Sequence, residues 1–68
     1  MAHEKRYLST PEAADFIGMS VSYLNQDRYY SKATGTAPKV PFIRLGRTIK
    51  YDRVILADVM AENMVVAS

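Results

Sequence analysis

The residues able to do chemistry in this 68-residue chain are few, and they exclude more than they offer. There is one histidine, His3, and no cysteine, so thiol nucleophiles, disulfides and thiolate zinc sites are all ruled out. The carboxylates are not spaced as an evident acid–base pair, and no glycine-rich phosphate loop or metal-spaced cluster occurs. The expectation is a protein without catalytic residues, metal or cofactor, and not an enzyme. What remains is positive charge beside short polar and aromatic side chains. Residues 20–53 hold Arg28, Lys32, Lys39, Arg44, Arg47, Lys50 and Arg53 against Asp27 and Asp52, a net of +5. Residues 1–19 sum to −1 and residues 54–68 to −2, so the charge is concentrated in the middle. A phosphate backbone rewards such a patch through counterion release. An ordinary solvated surface carries the same residue types, so charge alone leaves both open.

Short helices must position these groups. Thr10 can cap a first helix with its hydroxyl, Pro11 suits the first helical position, and Glu12 sits in the dipole-favoured first turn. That helix runs through Ile17 and is stopped by Gly18. Ser20 then caps a second helix over Val21–Tyr30. Two short helices joined by about three residues including a glycine form a helix-turn-helix signature, whose second helix enters the major groove. At 100° per residue, Val21, Leu24 and Arg28 share one side, Arg28 burying its stem. Ser22, Tyr23, Gln26 and Tyr30 lie opposite. With Ser20 they are the candidate groove-facing set, although a plain solvent face would hold the same types.

Ser31–Lys39 has the composition of a loop, and its Lys32 and Lys39, together with Arg28, are candidate phosphate contacts. Val40–Leu45 and Thr48–Tyr51 are β-prone runs around Gly46-Arg47, a strong hairpin signal. Arg44, Arg47 and Lys50 place three cations on or near it, with Arg47 at the tip, where it can grip a phosphate or enter a minor groove. Asp52 caps a last helix from Arg53 to about Met64. Its stripe of Ile55, Leu56, Val59 and Met60 faces the core, and Asp58 and Glu62 face out. The apolar ending Met64–Ser68 fits either a fraying last turn or a contact with a neighbouring protomer. No apolar run reaches the ~20 residues that span a bilayer. The N-terminus lacks a signal-peptide core. A cytoplasmic, nucleoid-associated protein with no membrane partner is therefore expected.

The order helix, turn, helix, loop, hairpin, helix resembles the excisionase family, within the MerR-like winged helix-turn-helix group. The resemblance runs from about Tyr7 to Met64. It is carried by Tyr7-Leu8-Ser9-Thr10-Pro11-Glu12-Ala13-Ala14, Ile17-Gly18-Met19-Ser20, Tyr23-Leu24, Phe42-Ile43-Arg44-Leu45-Gly46-Arg47 and Ile49-Lys50-Tyr51. It implies one mainly α domain over 1–68, ordered over about 7–64, with a two-stranded wing. It implies Ser22, Tyr23 and Gln26 as major-groove readers and Arg44, Arg47 and Lys50 as wing contacts. The implied partner is double-stranded DNA, at an attachment site or promoter. The implied role is an architectural recombination directionality factor of a mobile element, which bends DNA to steer a tyrosine-recombinase integrase toward excision. Cooperative head-to-tail self-association on DNA would accompany it. Small AlpA-like transcriptional regulators share the resemblance, and a protein-interaction antiactivator is a third reading. Two departures stand out: Ser31–Lys39 exceeds the usual short connection, and the recognition face has no arginine, which leaves part of the specificity to DNA shape.

Overall fold

The computed structural model describes residues 5–65. These form an α+β fold with three helices and a three-stranded antiparallel sheet, in the order β1 (Tyr7–Leu8), α1 (Thr10–Ile17), α2 (Val21–Thr34), β2 (Ile43–Leu45), β3 (Thr48–Asp52) and α3 (Arg53–Glu62). The sheet order is β1-β3-β2. β1 was not expected from sequence, because two residues carry no periodicity. It pairs Tyr7 with Asp52 and Leu8 with Tyr51, and so ties the N-terminal segment to the start of α3. His3 lies outside the described residues, as do residues 66–68 of the apolar ending.

The cap of α1 is Ser9 rather than Thr10. Ser9 Oγ accepts from Glu12 N at 3.3 Å, and Glu12 Oε1 accepts from Ser9 N at 2.9 Å. This reciprocal arrangement needs a hydroxyl residue three positions before a Glu, and Ser9–Glu12 meets that spacing whereas Thr10–Ala13 does not. Gly18 closes the helix at φ 73°, while Met19 N donates to Ala14 O at 2.9 Å. An L side chain at that φ is disfavoured, which is why the sharp turn into α2 falls at a glycine. Ser20 caps α2 as expected, its Oγ accepting from Tyr23 N at 3.1 Å.

α2 is longer than expected and absorbs Ser31–Thr34, the first part of the segment read as loop. No proline or glycine interrupts those positions, and Thr34 Oγ1 donates to Tyr30 O at 2.8 Å. The helix stops only at Gly35. The hairpin is correspondingly shorter at its start, because Val40–Phe42 is not strand. Val40 N is already bonded to Asp27, and Pro41 has no N–H to give a ladder. The turn is as read. Gly46 has φ 62°, and Arg47, like every other described non-glycine residue, has no positive φ; with Leu45 paired to Thr48 this matches a type II′ hairpin. α3 starts on the expected Asp52 cap and ends at Glu62, short of Met64.

Leu8, Ala13, Ala14, Ile17, Leu24, Val40, Tyr51 and Leu56 make the core, with Tyr23, Phe42 and Ile49 packed against it. Leu24 is buried as expected, but Val21, expected inside, is 40% exposed because it lies at the first turn of α2, beyond the edge of the core. The inner stripe of α3 is likewise narrower, with Leu56 buried and Val59 half-buried while Ile55 and Met60 are exposed. Eight-residue α1 and the small sheet offer too little surface to cover a wider one. Among the described residues, no helix is long and apolar enough to cross a membrane.

Candidate nucleic-acid interface

The expected recognition face is built on α2. Ser20, Ser22, Gln26 and Tyr30 are exposed, while Tyr23 is half-buried against the core and so held in place. Tyr23, Gln26 and Tyr30 come together with Asp27, Tyr29 and Lys39 around one shallow depression of about 440 Å³. Tyr29 was not expected there. Lys39 arrives from far along the chain because the Asp27 carboxylate accepts from Lys39 N and Val40 N, each at 3.0 Å. This single acidic side chain folds the long connection back onto α2. Nothing in its spacing announced the role, since a contact across 12 residues has no local signature. Lys32 is exposed in the last turn of α2. Nine residues beyond Tyr23, it lies about half a helical turn round from that side chain, and it does not join the depression.

Arg28 is placed differently from the other candidate phosphate contacts. Its Nη1 donates to Tyr51 Oη at 2.7 Å and to Thr10 Oγ1 at 3.4 Å, and its Nη2 donates to Asn25 Oδ1. The guanidinium also sits 6.0 Å from the centroids of the Phe42 and Tyr51 rings. It therefore links α1, α2 and β3 from within rather than standing beside Lys32 and Lys39. Burial pushes the Tyr51 phenol above its ordinary range, against the pull of the Arg28 cation. The expectation of a buried stem holds, and the charged head is engaged as well.

The three hairpin cations do not form one flat patch. Arg44 pairs with Ile49 and Lys50 with Ile43, so the pleat puts Arg44 and Lys50 on opposite faces. Arg44 lies over Phe42, 5.7 Å from the ring centroid, on the face turned toward the core. Lys50 is on the reverse face, where it lines a second depression with Tyr7, Ile43 and Leu45. Arg47 is exposed at the tip. The cations thus surround the hairpin on both sides and at its end.

Two carboxylates outside the depression are paired with cations. Glu12 accepts from the Ser9 backbone N–H and then from Lys5 Nζ at 2.9 Å, which together hold its carboxyl at about 2. Asp52 pays a burial cost to its charge, but Arg6 at 3.3 Å and the N–H groups of Val54 and Ile55 outweigh it and keep the carboxyl below its ordinary value. Asp58 and Glu62 stand exposed on α3. Among the described residues, no three His, Cys, Asp or Glu side chains are grouped to hold a metal ion. No protein-family model, curated protein or solved structure matches this chain.

Proposed function

We propose that this chain is a winged helix-turn-helix protein that binds double-stranded DNA, with α2 in the major groove and the β2–β3 hairpin as its wing. The observation that carries this reading is the assembly of Tyr23, Gln26, Tyr30 and Lys39 around one depression on α2, in a fold whose β2–β3 hairpin carries Arg44, Arg47 and Lys50. Polar and aromatic groups suit base edges, and mobile cations suit phosphates. An arginine entering a minor groove is flanked by two phosphate strands, and cations on both hairpin faces fit that straddling geometry. Compactness and the resemblance to excisionases extend the reading to an architectural directionality factor that bends attachment-site DNA for an integrase. Lys32 and Lys39 serve as flanking phosphate contacts, and Arg28 holds the scaffold.

The test is selection of bound duplexes from the source genome at near-physiological salt. Enrichment of tandem direct repeats beside an integrase gene or attachment site is the expected result. Enrichment of promoters elsewhere, or of inverted repeats, would replace the excisionase role with a transcriptional one. Absence of any enrichment over bulk DNA would overturn sequence-specific binding itself.

A further inference from the structure

The depression on α2 holds a single carboxamide, a group whose paired donor and acceptor suit one kind of base pair. Tyr23, Gln26, Asp27 and Tyr30 recur at helical spacing and line the same depression, with Lys39 at its edge. Both Asp27 carboxylate oxygens accept backbone N–H groups, from Lys39 and Val40, which ties this half-buried side chain to the connection and keeps it from extending toward a base edge. Arg28, the one guanidinium on α2 and the side-chain type best suited to guanine, is engaged with Tyr51, Thr10 and Asn25 on another side of the helix. The same contact turns the Asn25 carbonyl toward Arg28, outside the depression. Gln26 is left as the exposed carboxamide in the depression, with a donor and an acceptor side by side. That pair matches adenine N6 and N7 in the major groove.

The walls beside Gln26 are aromatic. Tyr23 is fixed by packing on the core, and Tyr30 is 64% exposed. The thymine methyl is the one apolar group that a base pair presents in the major groove, so ring edges next to a carboxamide complement an A·T pair on both of its bases. We infer that Gln26 is the specificity-determining residue for an A·T pair, taking adenine with its carboxamide while the flanking tyrosine rings cover a thymine methyl. The inference rests on the major-groove placement of α2 proposed above. Lys39 lines the same depression as a flexible point charge, without the planar fork that fixes a bidentate contact, and is assigned to phosphate.

The experiment selects duplexes from a randomised pool with the wild-type chain and with Gln26→Ala, which is exposed and compatible with a folded helix. In the winning site, thymine is then replaced by uracil and adenine by 7-deazaadenine. Wild type should enrich an A·T pair at one position or more, and Gln26→Ala should lose that preference with an affinity drop there of roughly 5- to 150-fold. The 7-deaza substitution should weaken wild type and leave Gln26→Ala nearly unchanged, and uracil should weaken wild type by removing only the methyl. Wild-type binding that is indifferent to Gln26→Ala, or a G·C pair at the Gln26-dependent position, overturns this inference while leaving duplex binding standing. Failure of the wild-type chain to bind any duplex overturns both.

Discussion

Glu12 is a single side chain whose protonation should be visible in the stability of the whole chain. Its carboxyl is held at about 2 when folded and returns to about 4.5 when unfolded. A depressed folded value means that the charged form stabilises the fold above the unfolded value, and that this contribution is lost as pH falls from about 4.5 toward 2. Denaturation of wild type and Glu12→Gln should therefore show the largest stability gap near neutral pH and convergence near pH 2. A gap independent of pH would show that Glu12 acts without its charge. Arg28 belongs to the same scale. Removing it as Arg28→Met leaves the fully buried Tyr51 without its 2.7 Å donor and should cost about 1–3 kcal/mol. Combining it with Tyr51→Phe should cost less than the two changes added together, because each already abolishes the shared bond. Strict additivity in that cycle would argue against the bond.

At the scale of elements, helix ends and the loop anchor govern where the DNA-facing groups sit. Ser9→Ala should destabilise by about 1 kcal/mol through loss of the α1 cap, whereas Thr10→Ala should cost clearly less. Equal melting temperatures for Ser9→Ala and wild type would displace the capping box from this role. Asp27 does comparable work between elements, since it joins α2 to the residues preceding β2. Asp27→Ala removes the acceptor of two amides, one exposed and one part-buried, and should cost about 1 kcal/mol. Hydrogen exchange at Lys39 and Val40 should accelerate in that variant ahead of exchange in α1. Unchanged protection at both amides would mean that something other than Asp27 holds the loop. Because Lys39 is carried to the depression by this grip, the same change should also weaken DNA binding.

For the whole molecule, charge distribution sets the behaviour. The described residues form a thin body of 40 × 34 × 17 Å, with Asp58 and Glu62 exposed on α3 and the positive charge drawn largely from α2, the following loop and the hairpin. Binding governed by phosphate contacts falls steeply with salt. Arg47→Ala and Lys50→Ala should each weaken binding across sequences and lower the slope of log affinity against log salt by about 1. Arg28→Met should leave that slope in place once the fraction folded is accounted for. Both hairpin variants should melt near the wild-type temperature, since neither side chain is in the core. An unchanged affinity and salt slope in both would remove the hairpin from the interface.

By itself the sequence determined the features that are local. Ser20 and Asp52 as caps, Gly18 as a stop, the Gly46-Arg47 turn, buried Leu24 and Leu56, and the exposure of Ser22, Gln26 and Tyr30 all follow from side-chain chemistry within a few residues. Only the tertiary structure decided what depends on distant neighbours. The strand at Tyr7–Leu8 exists because Tyr51–Asp52 offers it an edge, and the stripe of α3 narrows because α1 and the sheet are small. Asp27 becomes an anchor, Arg28 a buried-side link and Lys39 a neighbour of Gln26 through contacts spanning 12 residues or more. The opposite placement of Arg44 and Lys50 depends on register, which a one-residue shift would reverse. Local rules act through backbone geometry and nearest side chains, whereas these placements depend on which surfaces the folded chain brings together.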